Sequence, residues 1–306
     1  MKQTLLALLL LSVISSIQAF ERVKVDDNVY ALVGELTQRS PQNLGLNLTI
    51  GFIVTEEGVV LIDSGGSRLG AEAIHKAIRE VTDKPVKWVV NSGGQDHKWL
   101  GNEYFTGQGA ITIASANGKQ DIINRGDSQA AMSEKYLKEK YAGTNPMPPQ
   151  ESFDKHHQLP LDDIRIELFD LGGGHTPGDI VVWLPERSIL FAGDTIFTQR
   201  LLGVQPGTGL QWIKSLEYIR DTLKPRIVVP GHGHVTDLDE GLRDTYDYLV
   251  MLRDHAVKQF DEGAFDPVEA SEGLDQSRFS YLENYSDLFF RSRNALNMAT
   301  EVYDNQ

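Results

Sequence analysis

The chain has no cysteine among its 306 residues, which excludes disulfide staples, a thiolate nucleophile and a cysteine metal ligand together. Stability must come from a packed core, and a chain of this length can bury one without cross-links. Basic residues are also in deficit: Lys and Arg number 29 against 43 Asp and Glu, for a formal charge of −14. Such a surface repels nucleic acid and anionic membranes, so neither is expected as a partner. The acidic residues are scattered and not blocked, a pattern that solubility alone explains.

Only one long apolar run is present, over residues 5–14, and it falls short of the about 20 residues a membrane span needs. Lys2 precedes it and Ser15-Ser16-Ile17-Gln18-Ala19 follows. A basic start, a short apolar stretch and a small residue before the cut predict a secretory signal peptide over residues 1–19. The competing reading is an uncleaved, buried first helix. Cleavage removes Lys2 and no acidic residue, so the mature chain is one unit more negative. It implies a secreted or periplasmic protein with no membrane insertion of the mature chain.

Residues 23–33 and 46–62 alternate in the manner of half-buried strands, with turn signals at Asp26-Asp27-Asn28 and Glu56-Glu57-Gly58. Ala73, Ile74, Ala77, Ile78 and Val81 have helical spacing within residues 70–81. Strands are predicted over 87–91 and 110–114 and a polar helix over 119–141. Residues 143–157 contain Pro146, Pro148 and Pro149 and read as a loop joining two halves, long enough to be functional. Helices are predicted over 211–223, ended by Lys224-Pro225, over 238–260, and over 281–303 as a C-terminal extension. No internal repeat appears, and one mature domain over residues 20–306 is the simplest organisation.

Three motifs stand at the ends of short apolar runs. Residues 164–171 lead into Gly172-Gly-Gly-His175-Thr-Pro-Gly-Asp179, residues 188–192 into Gly193-Asp194-Thr195, and residues 226–229 into Pro230-Gly-His232-Gly. Glycines crowd each polar side chain, as close backbone approach to a bound group requires. Two imidazoles and a carboxylate at the ends of three strands read as a metal site. Hydrogen-bonded turn residues are the bland alternative.

These motifs, in this order, resemble those of the metallo-β-lactamase superfamily. The upstream segment from Gly51 to Gly66, with Asp63 in its turn, is similar to that family's early hairpin. The resemblance implies an α/β fold, a four-layer αββα sandwich. It also implies that Asp194 is a carboxylate bridging two metals, that His232 is a ligand of the second site and that His175 belongs to the first.

One motif departs from the pattern. The family's His-x-His-x-Asp-His should follow the strand at 87–91, but the chain reads Asn91-Ser92-Gly93-Gly94-Gln95-Asp96-His97-Lys98-Trp99-Leu100-Gly101-Asn102. Aligned without a gap, Gly93 and Gln95 replace the first two histidines, His97 stands in the aspartate's place and Lys98 in the third histidine's. With one residue lost before Asp96 and one gained after His97, the pair Asp96-His97 is retained instead. Either way the first two histidines are missing, and His97 falls at a ligand position of the second site.

His97, Asp194 and His232 would then leave a fourth position open, as in catalytic zinc sites. His175 would complete that site or stand beside the nucleophilic water. Lys98 is either a solvated lysine or a cation that faces the site, steadying an oxyanion or repelling a metal. Asp96 is a candidate base or ligand only in the gapped alignment, and Asp63 more simply orders the loops. His156-His157 reads as a solvated pair, with a lid element as the alternative. His75, His234 and His255 read as surface or turn residues.

The resemblance implies a zinc-dependent hydrolase, with about one ion per chain, acting on a small ester, thioester, lactam or phosphoester. Residues 143–157 are expected to cover its pocket. The leader together with Arg200-Leu-Leu-Gly203-Val-Gln-Pro206 looks like a periplasmic branch of the superfamily and not the clinical β-lactamases. The alternative is a non-catalytic binding or accessory protein that kept the scaffold while a metal site decayed. Mass spectrometry of the exported product should give an N-terminus within a few residues of Phe20; an intact Met1 on exported protein would contradict the leader.

Overall fold

The computed structural model describes residues 19–306, so the leader expected over 1–19 lies outside the described residues except for Ala19. The first sheet takes its strands in sequence order: β1 (Phe20–Asp26), β2 (Val29–Gly34), β3 (Thr49–Val54), β4 (Val59–Ile62), β5 (Val86–Val90), β6 (Ile111–Ser115) and β7 (Glu151–Phe153). The second runs β12-β11-β10-β9-β8, with β8 (His156–Gln158), β9 (Glu167–Asp170), β10 (Ile180–Leu184), β11 (Ile189–Phe197) and β12 (Ile227–His232).

Alternation of side chains makes the layers. In β4, Val60 and Ile62 join β10's Ile180, Val182 and Leu184 in a core between the sheets. Val59 and Leu61 point the other way, onto α1 (Arg68–Arg79), whose Ala71, Ile74, Ala77 and Ile78 complete an outer core. Across the molecule, Val181 and Trp183 of β10 meet Trp212, Ile213 and Leu216 of α5 (Gly209–Tyr218) and apolar residues of the C-terminal helices. Each buried Val, Leu or Ile contributes roughly 1.5–3 kcal/mol of transfer free energy. Helix, sheet, sheet, helix is the expected αββα sandwich. Among the described residues, no helix is long and apolar enough to cross a membrane.

Between β5 and β6 the chain forms α2 (Asp96–Trp99) and α3 (Asn102–Gly107). The helix α4 (Ala116–Leu137) leaves β6 directly, with Ser115 capping it by accepting from the Gly118 amide.

Three expectations are corrected. The helix predicted over 238–260 is broken into α6 (Leu238–Asp244) and α7 (Tyr246–Asp261). At the break, buried Thr245 bonds both the amide and the carbonyl of Phe197, and Asp244 accepts from the Gln199 amide. The end of β11 claims the polar groups that a continuous helix would have left idle. The helix predicted over 281–303 begins only at α9 (Leu288–Asp304), capped by Asp287, after the short α8 (Pro267–Ser271). Residues 143–157 are also not a lid. They carry β7 and β8, edge strands of the two sheets, so the segment is the crossover from one sheet to the other. His156 stacks on Phe169 at 4.7 Å as part of that edge.

Candidate metal centre

Three chain segments meet where the two sheets abut. The loop after β5 is fixed by amide pairs: Asn91 Nδ2 donates to the Lys98 carbonyl at 2.9 Å, and Asn102 Nδ2 donates to Asn91 Oδ1 at 2.8 Å. All four residues of α2 are consequently buried. This turn presents His97, β11 presents Asp194, and β12 ends on His232.

His97, Asp194 and His232 are buried and offer one ligand atom each, all within 4.8 Å of one another. His97 Nε2 lies 3.6 Å from Asp194 Oδ2, and His232 Nε2 lies 3.6 Å from Asp194 Oδ1. These separations are too long for hydrogen bonds. His97 Nε2, His232 Nδ1 and both Asp194 oxygens lack any hydrogen-bond partner. Buried polar atoms rarely go unpaired, and with Lys98 beside Asp194 Oδ1, His97 Nε2 and Asp194 Oδ2 still face each other without a partner, which fits a site built for a cation. Two imidazoles and a carboxylate are a donor set that suits zinc.

The surroundings set the state of each group. Asp194 is held well below the usual carboxylate range: burial opposes this, but Lys98 and the two histidines outweigh it. Burial likewise keeps His232 neutral, its basicity well below that of a free imidazole. The His232 ring stacks on Phe197 at 4.7 Å, which fixes its plane.

Asp96 sits behind His97. Its carboxylate accepts from Arg39 at 2.6 Å, from Ser133 at 2.6 Å and from the His97 amide at 2.9 Å. Burial pushes its pKa up, yet Arg39 and His97 bring it down to about 2. Oδ1 is 3.3 Å from His97 Nδ1, and Arg39 also reaches that nitrogen, at 2.8 Å. Frozen in this way, Asp96 and Arg39 together hold the imidazole with Nε2 toward Asp194. Asp96 is not one of the three converging groups.

His175 lies in the same cavity but outside the triad. Its Nδ1 donates to the Gly203 carbonyl at 2.6 Å, and its Nε2 is taken by the Gln95 side-chain amide. Burial lowers its pKa to about 4, so it is neutral at ordinary pH. Gln95 thus occupies the position of a missing histidine and satisfies the one that remains.

The other missing histidine has no room to return. A Cβ on Gly93 would stand 2.2 Å from Asp179 Oδ1, and Asp179 is pinned by the Thr176 amide at 2.8 Å and by the Thr176 hydroxyl. Beside it runs Lys98, fully buried. Its ammonium donates to Ser92 Oγ at 2.9 Å and to Asp63 Oδ2 at 3.1 Å, and lies 3.1 Å from Asp194 Oδ1. Burial alone would discharge it, but Asp194, Asp63 and Asp179 hold its pKa above that of free lysine. Burial and the Asp194 charge raise Asp179 in turn. Lys98 does not line the cavity, so its reach ends at these carboxylates. Asp63 adopts φ +68 to accept the Ser92 amide and hydroxyl, both at 2.7 Å.

Arg39, Asp179 and Arg200 complete the surroundings and were not picked out as site residues by the motifs. Asp179 was within sight, as the last residue of the His175 motif. Arg39 belongs to the stretch between β2 and β3, and no spacing in the sequence ties it to Asp96. The other histidines lie elsewhere: His75 bonds the Tyr104 hydroxyl at 2.9 Å, His234 contacts Glu240 at 3.2 Å and His255 meets the Glu272 carbonyl.

Known proteins share this framework. A model of the metallo-beta-lactamase superfamily matches residues 46–232. The chain is 25% identical over 225 residues to a type 2 metallo-beta-lactamase of Bacteroides fragilis, covering 71% of this chain and 84% of that protein. It is 20% identical over 250 residues to a linear primary-alkylsulfatase of a Pseudomonas species, covering 69% of this chain and 47% of that protein. A solved metallo-beta-lactamase from Pontibacter korlensis superposes with a TM-score of 0.60 at 22% identity, covering 76% of this chain and 99% of that one; the likeness is one of fold. With the family model spanning more than half its length, this chain belongs to the metallo-beta-lactamase superfamily.

Proposed function

We propose that this protein is an exported, metal-dependent hydrolase of a small molecule that works with a single zinc ion held by His97, Asp194 and His232. The observation that carries the reading is the convergence of these three buried donors, with His97 Nε2 and Asp194 Oδ2 left unpaired between them. The leader read from residues 1–19 supports a periplasmic or secreted location.

A single ion follows from what fills the other position. Gly93 brings no donor, Gln95 is engaged with His175, and the Lys98 ammonium already supplies a positive charge beside Asp194. A second cation there would face like-charge repulsion at close range.

Bound in the triad, zinc would supply Lewis-acid activation of water and of the substrate's scissile group. The chain's own residues do the rest. Lys98 keeps Asp194 ionised, Asp96 aims His97, and Phe197 holds the plane of His232. His175 stays neutral, its Nδ1 proton committed to Gly203, so Nε2 is an acceptor that an entering polar group can share with Gln95. The relatives' names point to lactams and alkyl sulfates, which supports the hydrolase class without selecting the substrate.

Turnover should appear in a panel of small carboxylic ester, thioester, lactam, phosphoester and sulfate ester substrates, and chelation should remove it and zinc restore it. His232→Ala should abolish it, and Asp96→Ala should lower zinc affinity or rate by roughly 10–100-fold. Undiminished activity after complete metal removal would sink the mechanism. Silence across the panel from zinc-loaded protein would favour the binding-protein reading.

The packing of Gly93 makes a separate prediction. Gly93→Ala should cost about 1–3 kcal/mol of stability in urea unfolding, because the pinned Asp179 carboxylate cannot retreat. An unchanged midpoint would show that this wall is soft.

A further inference from the structure

We propose that the cavity over the triad recognises an anionic oxygen group on its ligand, a carboxylate, sulfate or phosphate, through the guanidinium groups of Arg200 and Arg293. The word substrate for that ligand rests on the hydrolase reading; the anion preference does not.

The cavity encloses about 200 Å³ and its floor carries His97, His175 and His232. Three arginines line it, Arg39, Arg200 and Arg293, from segments far apart in the chain, and no Asp or Glu does. In a protein with 43 acidic and 29 basic residues that local reversal of charge is not a sample of the average surface. A positive recess within an acidic exterior focuses anions toward the site.

The arginines differ in what occupies them. Arg39 is committed to Asp96 and His97. Arg200 is half-buried, and its NH1 donates to the backbone carbonyls of Leu36 and Thr37. No carboxylate lies within ion-pair distance of it among the described residues, and burial, with the charge of Arg39, lowers its pKa to about 10. The charges of Asp194 and Glu283 offset this only in part, and holding a cation in that setting without a directly paired counterion is costly. An oxyanion would remove the cost, because two N–H groups of a guanidinium match two oxygens of a carboxylate, sulfate or phosphate.

Arg293 projects from α9 with its guanidinium 5.5 Å over the Phe290 ring, and it too lacks an ion-pair partner among the described residues. Its side chain is exposed, so its N–H groups are open to a ligand in the cavity. Phe197, Leu201 and Phe290 add apolar patches to a lining that is mostly polar. Its volume is below the roughly 300–1,000 Å³ of drug-sized ligand sites. The fitting ligand is therefore short, with at least one anionic end.

Inorganic sulfate, inorganic phosphate and succinate, each titrated into the mature protein at constant ionic strength, test this directly by calorimetry and by the arginine side-chain N–H resonances. At least one should bind saturably, and the tightest of the three identifies the oxyanion. Arg200→Gln and Arg293→Gln should each weaken it by about 10-fold, and Arg200→Lys, which keeps charge but not the fork, by less than Arg200→Gln. Arg253→Gln, at an exposed pair with Asp254, should leave affinity unchanged. Thermal melts establish that each variant is folded.

Absence of saturable binding by all three anions would overturn the proposal. So would binding that both cavity substitutions leave intact, or equal weakening by Arg253→Gln. Anion binding that depends on Arg200 and Arg293 in a protein without turnover would remove the hydrolase reading and leave this one standing.

Discussion

The ammonium of Lys98, sealed among carboxylates, is the interaction on which the site is built. Isolated burial of a charge of this kind carries an effective penalty of several kcal/mol, and losing one partner of such a pair typically costs about 3–5 kcal/mol. Here the partners come from separate elements: Asp63 follows β4, Ser92 follows β5 and Asp194 lies in β11. One side chain thereby ties the two sheets together at the point where their strand ends meet. The same contact fixes the carboxylate that stands between His97 and His232.

Viewed this way, the altered motif is a consistent replacement and not a scatter of losses. Lysine in place of a histidine brings a fixed charge; glycine in place of another clears the space that Asp179 fills; glutamine in place of a third pairs with His175. These three changes support one another, because a side chain at 93 would displace Asp179 and so disturb the charge balance around Lys98. What remains is one cluster of three donors, oriented from behind by Asp96 and Arg39.

Much of this was legible before any coordinates. Alternating apolar runs located the central strands, and the glycine-flanked motifs after β9, in β11 and in β12 announced that His175, Asp194 and His232 converge on one region. Either alignment of residues 91–102 also placed His97 at a ligand position of the second site, near Asp194. What escaped was non-local. Arg39 and Arg293 reach the cavity from segments with no motif of their own. The break at Thr245 depends on the backbone of Phe197, about fifty residues earlier, which helical periodicity cannot register. The proline-rich stretch at 143–157 read as a cover because its short edge strands are too brief and polar to signal themselves.

The number and place of metal ions decide whether the Lys98 ammonium stands where a second cation would bind. Crystals of mature protein grown with excess zinc, measured for anomalous scattering at the zinc edge, should show one peak per chain, among His97, Asp194 and His232, with Lys98 Nζ still beside Asp194. A second strong peak between Gln95, His175 and Asp179, or displacement of Lys98 by metal, would contradict the claim that its ammonium has taken a cation's place.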